Sequence, residues 1–224
     1  MTELRADARR NREKILAAAR ELFREQGTAV ALDDVARRAG LGIGTLYRRF
    51  PDREALIREV AVEGFRTGLA AIEAAKYSGA RPMAALEELF RRIVEERERL
   101  VMPLIGGPLA RDESVRELQR SIVRAVADLL SAGRDTGEVR ADVTPFDLIS
   151  AAAMVCRPMP HIPRSQARAL AERHVTVYLH GLRPEGAKAL PEAGDPSEYL
   201  GSNRRRDQGS GPSVLPLRRA PFPT

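Results

Sequence analysis

The stretch Leu32-Asp-Asp-Val-Ala-Arg-Arg-Ala-Gly-Leu-Gly-Ile-Gly-Thr-Leu-Tyr-Arg-Arg-Phe-Pro-Asp-Arg-Glu-Ala-Leu56 decides how this chain is read. It is punctuated at short intervals. A helix fits Asp33 to Ala39, with Val35 and Ala36 facing inward, and Gly40 supplies the positive backbone dihedral of a tight turn. A second short helix fits Ile43 to Phe50 and is ended by Pro51. Asp52 then reads as an N-cap, its carboxylate accepting from the first N–H groups of a third helix. Ala36 is small enough for the two short helices to approach closely, and Leu41 is an apolar plug between them. Two short helices joined through a glycine turn form a helix-turn-helix pattern. The second is short enough for its first residues to meet base edges in a major groove. Leu46 and Phe50, four apart, face the core. That leaves Ile43, Gly44, Thr45, Arg48 and Arg49 outward and Tyr47 at the edge.

Working outward, the pattern stays helical. Upstream, Ile15, Ala19, Leu22 and Phe23 recur at helical spacing from Arg9 to Gln26, and Gly27 stops the run. Downstream, Ile57, Val60, Ala61, Phe65, Leu69 and Ile72 trace one face to about Ala75, and Tyr77 to Arg81 is a loop. Leu86, Leu89, Phe90, Ile93 and Val94 stripe a helix from Pro82 to about Leu100. Val115, Leu118, Ile122, Val126 and Leu129 mark another that closes near Gly133. Pro145 opens a further helix to Arg157. A connector stiffened by Pro158, Pro160 and Pro163 leads to the last, from Arg164 to about Leu182. No stretch shows sustained strand alternation, so the expected fold class is all-α. Residues 183–224 hold seven of the 15 prolines and five of the 17 glycines. Residues 184–224, which include the run Arg204-Arg205-Arg206, are expected to be a disordered tail.

The 224 residues carry 37 basic and 31 acidic side chains, a formal charge of +6. Only Lys14, Lys76 and Lys188 are lysines; the other 34 cations are arginines. Arginine suits planar contacts to phosphate, so the bias permits nucleic-acid binding. A GC-rich coding sequence explains the same excess. The distribution says more than the total. Residues 1–53 hold 12 basic and 8 acidic side chains, residues 54–182 hold 18 of each, and residues 183–224 hold 7 and 5. The one cysteine, Cys156, excludes an internal disulfide and a multi-cysteine zinc site. No apolar run approaches the ~20 residues of a membrane span. Met1 to Arg12 lacks the apolar core of a signal peptide, and a cytoplasmic location is expected.

Other motifs carry less. Gly40-Leu-Gly42-Ile-Gly44 resembles a nucleotide-binding loop, but no strand precedes it and its third glycine falls one residue early. Hydrolase, metalloprotease and P-loop signatures are missing, and no metal or cofactor is expected. His174, in register with Leu170 and Tyr178, reads as a core or interface histidine. His161 reads as a connector residue, His180 as a complement to a helix C-terminus, and Cys156 as a small buried hydrophobe.

Residues 9 to 60 closely resemble the TetR family of bacterial transcriptional regulators, nearly position for position from Leu32 to Leu56. The preceding helix, with Ile15, Ala18, Leu22, Phe23 and Gly27, fits as well. The resemblance implies a DNA-binding helix-turn-helix domain at residues 9–54, a helical ligand-binding and dimerisation domain at 55–183, and no enzymatic activity. Carried over by position, Gly42, Ile43, Gly44 and Thr45 are expected near the bases. Tyr47, Arg49 and Arg53 are expected on phosphates, and Arg48 on either. Two departures stand out. Ala31 replaces the usual Thr or Ser cap. Gly42-Ile43 replaces a Ser followed by a polar residue, so Ile43 offers only apolar contact, for example to a thymine methyl. By position, Phe65, Leu69, Phe90, Val94, Met102 and Ile122 are expected to line an effector pocket, each being also a plausible core residue. With 4% aromatic residues and no Trp, an aliphatic pocket is expected rather than an aromatic cage. The last two helices are expected to pair with their symmetry mates, Ala151, Ala152 and Ala153 allowing close approach. The implied function is a repressor that binds a pseudo-palindromic operator in double-stranded DNA and is released by a small molecule. The alternative is an all-α enzyme or interaction module with a fortuitous helix-turn-helix.

Overall fold

The computed structural model describes residues 2–98, 100, 112–159 and 161–192. Among them are eight helices: α1 (Thr2–Gln26), α2 (Leu32–Arg38), α3 (Ile43–Arg49), α4 (Arg53–Lys76), α5 (Pro82–Glu96), α6 (Glu113–Asp135), α7 (Pro145–Val155) and α8 (Arg164–Gly181). No strand occurs among the described residues. The chain is all-α, as the periodicity predicts. Helix α1 begins earlier than the expected Arg9, and α5 ends at Glu96 rather than near Leu100.

The buried side chains form two cores. The smaller draws on α1 to α3 and the start of α4, and includes Ile15, Leu22, Phe23, Val35, Leu46, Phe50, Leu56 and Val60. The larger runs from Ala61 to Leu182. Ile57 packs against both, so α4 is the common beam. That beam packs most extensively on α6.

Local chemistry explains the helix ends. Asp52 caps α4 through the Ala55 N–H at 2.7 Å. Asp112 caps α6, accepting from the N–H groups of Ser114 and Val115 at 3.0 and 3.3 Å. Asp147 reaches back to the backbone N–H and hydroxyl of Thr144 at 2.7 and 2.8 Å, fixing the start of α7. Ala31 gives α2 no side-chain cap, as expected from its methyl group. At the other end of α2, Gly40 has φ +66°. The Leu41 N–H bonds to Ala36 O at 3.0 Å and the Gly40 N–H to Arg37 O at 3.1 Å. This is a Schellman closure, and it seats Leu41 against the small core.

Gly133 marks a close approach. The chain folds back after α6, and the N–H groups of Glu138 and Val139 both bond to Gly133 O, at 2.8 and 3.0 Å. A Cβ at Gly133 would overlap the Val139 side chain, itself buried. Gly133→Ala is expected to destabilise the chain by about 1–3 kcal/mol, measured by urea unfolding, despite alanine's better helix propensity.

The structure refines three expectations. The inward stripe of α8 is Ala167, Ala171, Val175 and Leu179; His174 is exposed, which excludes the core reading and leaves the interface one, and Leu170 is exposed beside it. Tyr178 is half-buried against the large core. On α7, Ala151 and Ala152 face the core of their own chain, so they are not available to a symmetry mate, whereas Ala153 is half-buried and Met154 is exposed. The tail is not wholly detached. The Leu190 N–H donates to Asp142 at 2.9 Å, and the Arg140 guanidinium donates to Lys188 O. Arg140 also pairs with Asp142, at 2.6 and 2.8 Å, which holds that carboxyl well below the usual range. The remainder of the tail, with Arg204, Arg205 and Arg206, lies outside the described residues.

Candidate nucleic-acid interface and cavity

Helix α3 is anchored at one point and open elsewhere. Leu46 is fully buried, and Phe50 follows the helix into the same core. The remaining residues project from this anchor. Gly42 and Gly44 are exposed, with open space where a Cβ would stand. Ile43 is half-buried and packs on the small core, and Thr45 is half-buried. Arg48 and Arg49 are exposed, and Tyr47 is 49% exposed.

The charges on α2 and α3 differ in kind. On α2, Arg37 pairs with Asp34 at 2.8 Å, and Arg38 with Glu21 and Glu25 at 2.9 and 3.4 Å. Among the described residues, no carboxylate pairs with Arg48 or Arg49. Their guanidinium groups are exposed on α3. Arg53 is placed differently from the expectation. Its Nη1 donates to Thr28 O at 3.0 Å and to Val30 O, fastening the α1–α2 loop to the start of α4. Part of its donor capacity is thus spent inside the protein.

A small apolar cavity of about 40 Å³ lies in the larger core. Its walls are Gly68 and Ile72 of α4, Leu89, Phe90 and Ile93 of α5, and Ile122 and Val126 of α6. Leu148, Ile149 and Ala152 of α7 complete them, with Leu100 and Cys156 at the ends of their segments. That volume is well below the ~300–1,000 Å³ usual for a small-molecule site. The wall is aliphatic apart from Phe90 and the Cys156 thiol. Burial pushes that thiol's pKa up to about 12, so it is a neutral wall element and not a nucleophile.

Of the residues predicted for a pocket, the structure brings Phe90 and Ile122 to this cavity. Phe65 and Val94 are buried elsewhere in the large core, and Leu69 is half-buried at its edge. Val94 faces a separate groove between α5 and α8. Met102 lies outside the described residues. The missed residue with a readable signal is Gly68. A glycine inside a helix costs about 1 kcal/mol relative to alanine, and here its missing side chain leaves room in the wall.

A helix-turn-helix whose reading helix is bare and cationic, carried on a helical body, defines a DNA-binding transcription regulator rather than an enzyme. Residues 15–60 match the model described as bacterial regulatory proteins, tetR family. Residues 81–184 match the model described as transcriptional regulator SbtR-like, C-terminal domain. The chain is 32% identical to the TetR transcriptional regulator SCO0520 from Streptomyces coelicolor, covering 78% of this chain and 99% of that one, with a TM-score of 0.50. It is also 32% identical to a TetR transcription regulatory protein from Mycobacterium vanbaalenii, over 80% and 99% of the two chains, with a TM-score of 0.54. An HTH-type transcriptional regulator of Staphylococcus aureus is 41% identical over 54 residues, which is 24% of this chain and only 29% of that protein. The chain belongs to the TetR family of bacterial transcriptional regulators.

Proposed function

We propose that the protein is a ligand-released repressor that binds a pseudo-palindromic operator as a homodimer. In this reading residues 9–54 are the DNA-binding domain and residues 55–183 the regulatory and dimerisation domain, in the cytoplasm. Gly42, Ile43, Gly44 and Thr45 approach base edges. Tyr47 and Arg49 hold phosphates, Arg48 takes a base or a phosphate, and Arg53 positions the loop ahead of α2 while its remaining donors face the backbone. Two α3 helices related by a dyad would sit on half-sites ~34–36 Å apart or a multiple of that.

The observation that carries the reading is the course of α4. Its first turns supply Leu56 and Val60 to the core under α3, and its later turns supply Gly68 and Ile72 to the cavity wall. A ligand that prefers one tilt of α4 therefore also selects one position of the reading helix. It lowers operator affinity by its differential binding energy for the two arrangements.

The test is binding of the full chain to the DNA flanking its own gene, against random fragments and across salt concentrations. Specific binding is expected. Arg48→Ala is expected to weaken it by about 1–3 kcal/mol, with a smaller loss for Tyr47→Phe. No preference for any promoter fragment would overturn the repressor reading. Unchanged affinity in both variants would overturn the residue assignments.

A further inference from the structure

Helix α4 has a companion in tying the reading head to the body, and it crosses a polar cleft between α1 and the start of α8. The cleft has a volume of about 410 Å³, and its walls include Glu21 of α1, Arg38 of α2, Glu98 just after α5, and Arg164, the first residue of α8. Arg164 spans it. Its Nη1 lies 3.6 Å from Glu98 and its Nη2 3.8 Å from Glu21. One side chain of α8 thus meets a carboxylate of the body and a carboxylate of the reading head. Glu21 is in turn held by Arg38 at 2.9 Å, and Arg38 also pairs with Glu25 at 3.4 Å. The chain of charges runs from α8 through α1 to α2, the helix that packs on the reading helix.

Both ends of this bridge are firmly seated. Arg97, which follows directly on α5, is a buried charged side chain at 9% exposure. Its Nη1 donates to Ala167 O at 2.8 Å and its Nη2 to Arg164 O at 3.4 Å. Two charge-assisted bonds to one helical turn fix that turn against the end of α5. The backbone that carries Arg164 is therefore held by the body. Glu21 precedes Leu22 and Phe23, both buried in the small core, so its backbone is held by the reading head. The side chains that meet across the cleft are partly to mostly exposed, 72% for Arg164 and 41% for Glu21. Such a pair adds little to the stability of one chain, but it favours one separation of the two anchored elements.

We propose that Arg164 is a specificity-determining residue for half-site spacing: it braces the reading head, through Glu21, against the helix that carries the dyad. This rests on the homodimer paired through the last two helices. In that dimer α8 is fixed relative to the dyad and α1 travels with the reader, so the Arg164–Glu21 contact sets how far each reader stands from the axis. One base pair added at an operator centre moves the half-sites by about 3.4 Å and turns them by about 34°. Shared between two chains, each head must then move by about 1.7 Å and turn by about 17°. The contact, at 3.8 Å, is already at the outer edge of an ion pair, and a head displaced from α8 by that amount loses it. The loss occurs twice, once in each chain, and falls only on operators of the wrong spacing.

The experiment measures the affinity of the full chain for its operator, footprinted in the DNA flanking its own gene, and for four copies with one or two base pairs inserted at or removed from the centre. The parent is expected to prefer the native spacing. Arg164→Gln is expected to cut that preference by about twofold to tenfold, since an exposed pair is lost in each of two chains. Glu21→Gln is expected to do the same, because Arg38 keeps Glu25. The double variant is expected to be no worse than either single one. Glu98→Gln, which leaves the contact with Glu21 in place, is expected to keep the preference. Sedimentation checks that each variant remains a dimer, and thermal melting that it remains folded. A preference that Arg164→Gln leaves unchanged, or effects of Arg164→Gln and Glu21→Gln that multiply in the double variant, overturns the brace while leaving the dimeric repressor. Loss of the dimer in Arg164→Gln also overturns the brace and makes Arg164 a contact of the dimer itself. A monomeric parent, or one indifferent to half-site spacing, overturns the brace together with the reading of two linked readers.

Discussion

Leu46→Asp is expected to abolish operator binding by unfolding the reading head. Leu46 is the buried residue of α3, and its side chain is fully enclosed. Around it stand Ile15, Ala19, Leu22, Val35, Phe50 and Leu56 in the small core, with no buried polar group to receive a carboxylate. The substitution removes the apolar anchor and places a charge, or a forcibly protonated acid, in its site. Each effect costs several kcal/mol, and together they exceed about 4–5 kcal/mol. Whole domains hold only about 5–15 kcal/mol, and this core is the smaller of two. The larger core does not include Leu46, so α5 to α8 should stay folded. Thermal melting by circular dichroism should then show helix lost at low temperature, followed by a transition near that of the parent chain. Ile57 packs on both cores, so the second transition should fall slightly. A single parent-like transition with intact operator binding would show that α3 is not held by the packing described here.

The reading head was legible in the sequence because its boundaries are local events. Gly27, Gly40, Pro51 and Asp52 each act on their own backbone, and three of the four do so whatever the rest of the chain does. Leu46 and Phe50 follow from spacing alone. The state of Arg53 was not legible: its carbonyl partners on Thr28 and Val30 lie 25 and 23 residues away and meet it only in the folded bundle.

The regulatory body was legible as helices but not as surfaces. On α8 two rows of residues run four apart, one through Leu170, His174 and Tyr178, the other through Ala167, Ala171, Val175 and Leu179. The first looks more apolar because its side chains are larger. The second is buried because small residues let α8 approach α5 and α7 closely, an advantage that exists only in the packed state. The cavity fails for a related reason. Periodicity marks the buried side of α4 and α5, but a void is set by which helices meet there and by what is missing, as at Gly68. Arg97 shows the limit most clearly. As one of 34 arginines in the chain it is unremarked in sequence, and only burial distinguishes it.

On the homodimer proposed above, Val177→Arg is expected to separate the two chains and lower operator affinity by about 100-fold or more. Val177 is 74% exposed in the single chain, and Met154 on α7 is 65% exposed. Leu170, seven residues before Val177 and therefore on the same side of α8, adds a third apolar side chain. An exposed apolar face across the last two helices is what a self-complementary contact would cover. At a dyad every substitution occurs twice, so Val177→Arg sets two like charges against each other inside a desolvated contact, at a cost of several kcal/mol. In the separate chain the same arginine sits in water and should leave the melting temperature of the monomer nearly unchanged. Two linked readers gain by effective concentration what single readers lack, typically 10²–10⁴ in affinity. Dissociation should therefore remove operator binding at concentrations that saturate the parent, while binding to a half-site at high protein concentration persists. Sedimentation gives the mass and a titration gives the affinity. A Val177→Arg protein that remains dimeric and binds its operator as before would place the dyad elsewhere, and the apolar face of α7 and α8 would then need another partner.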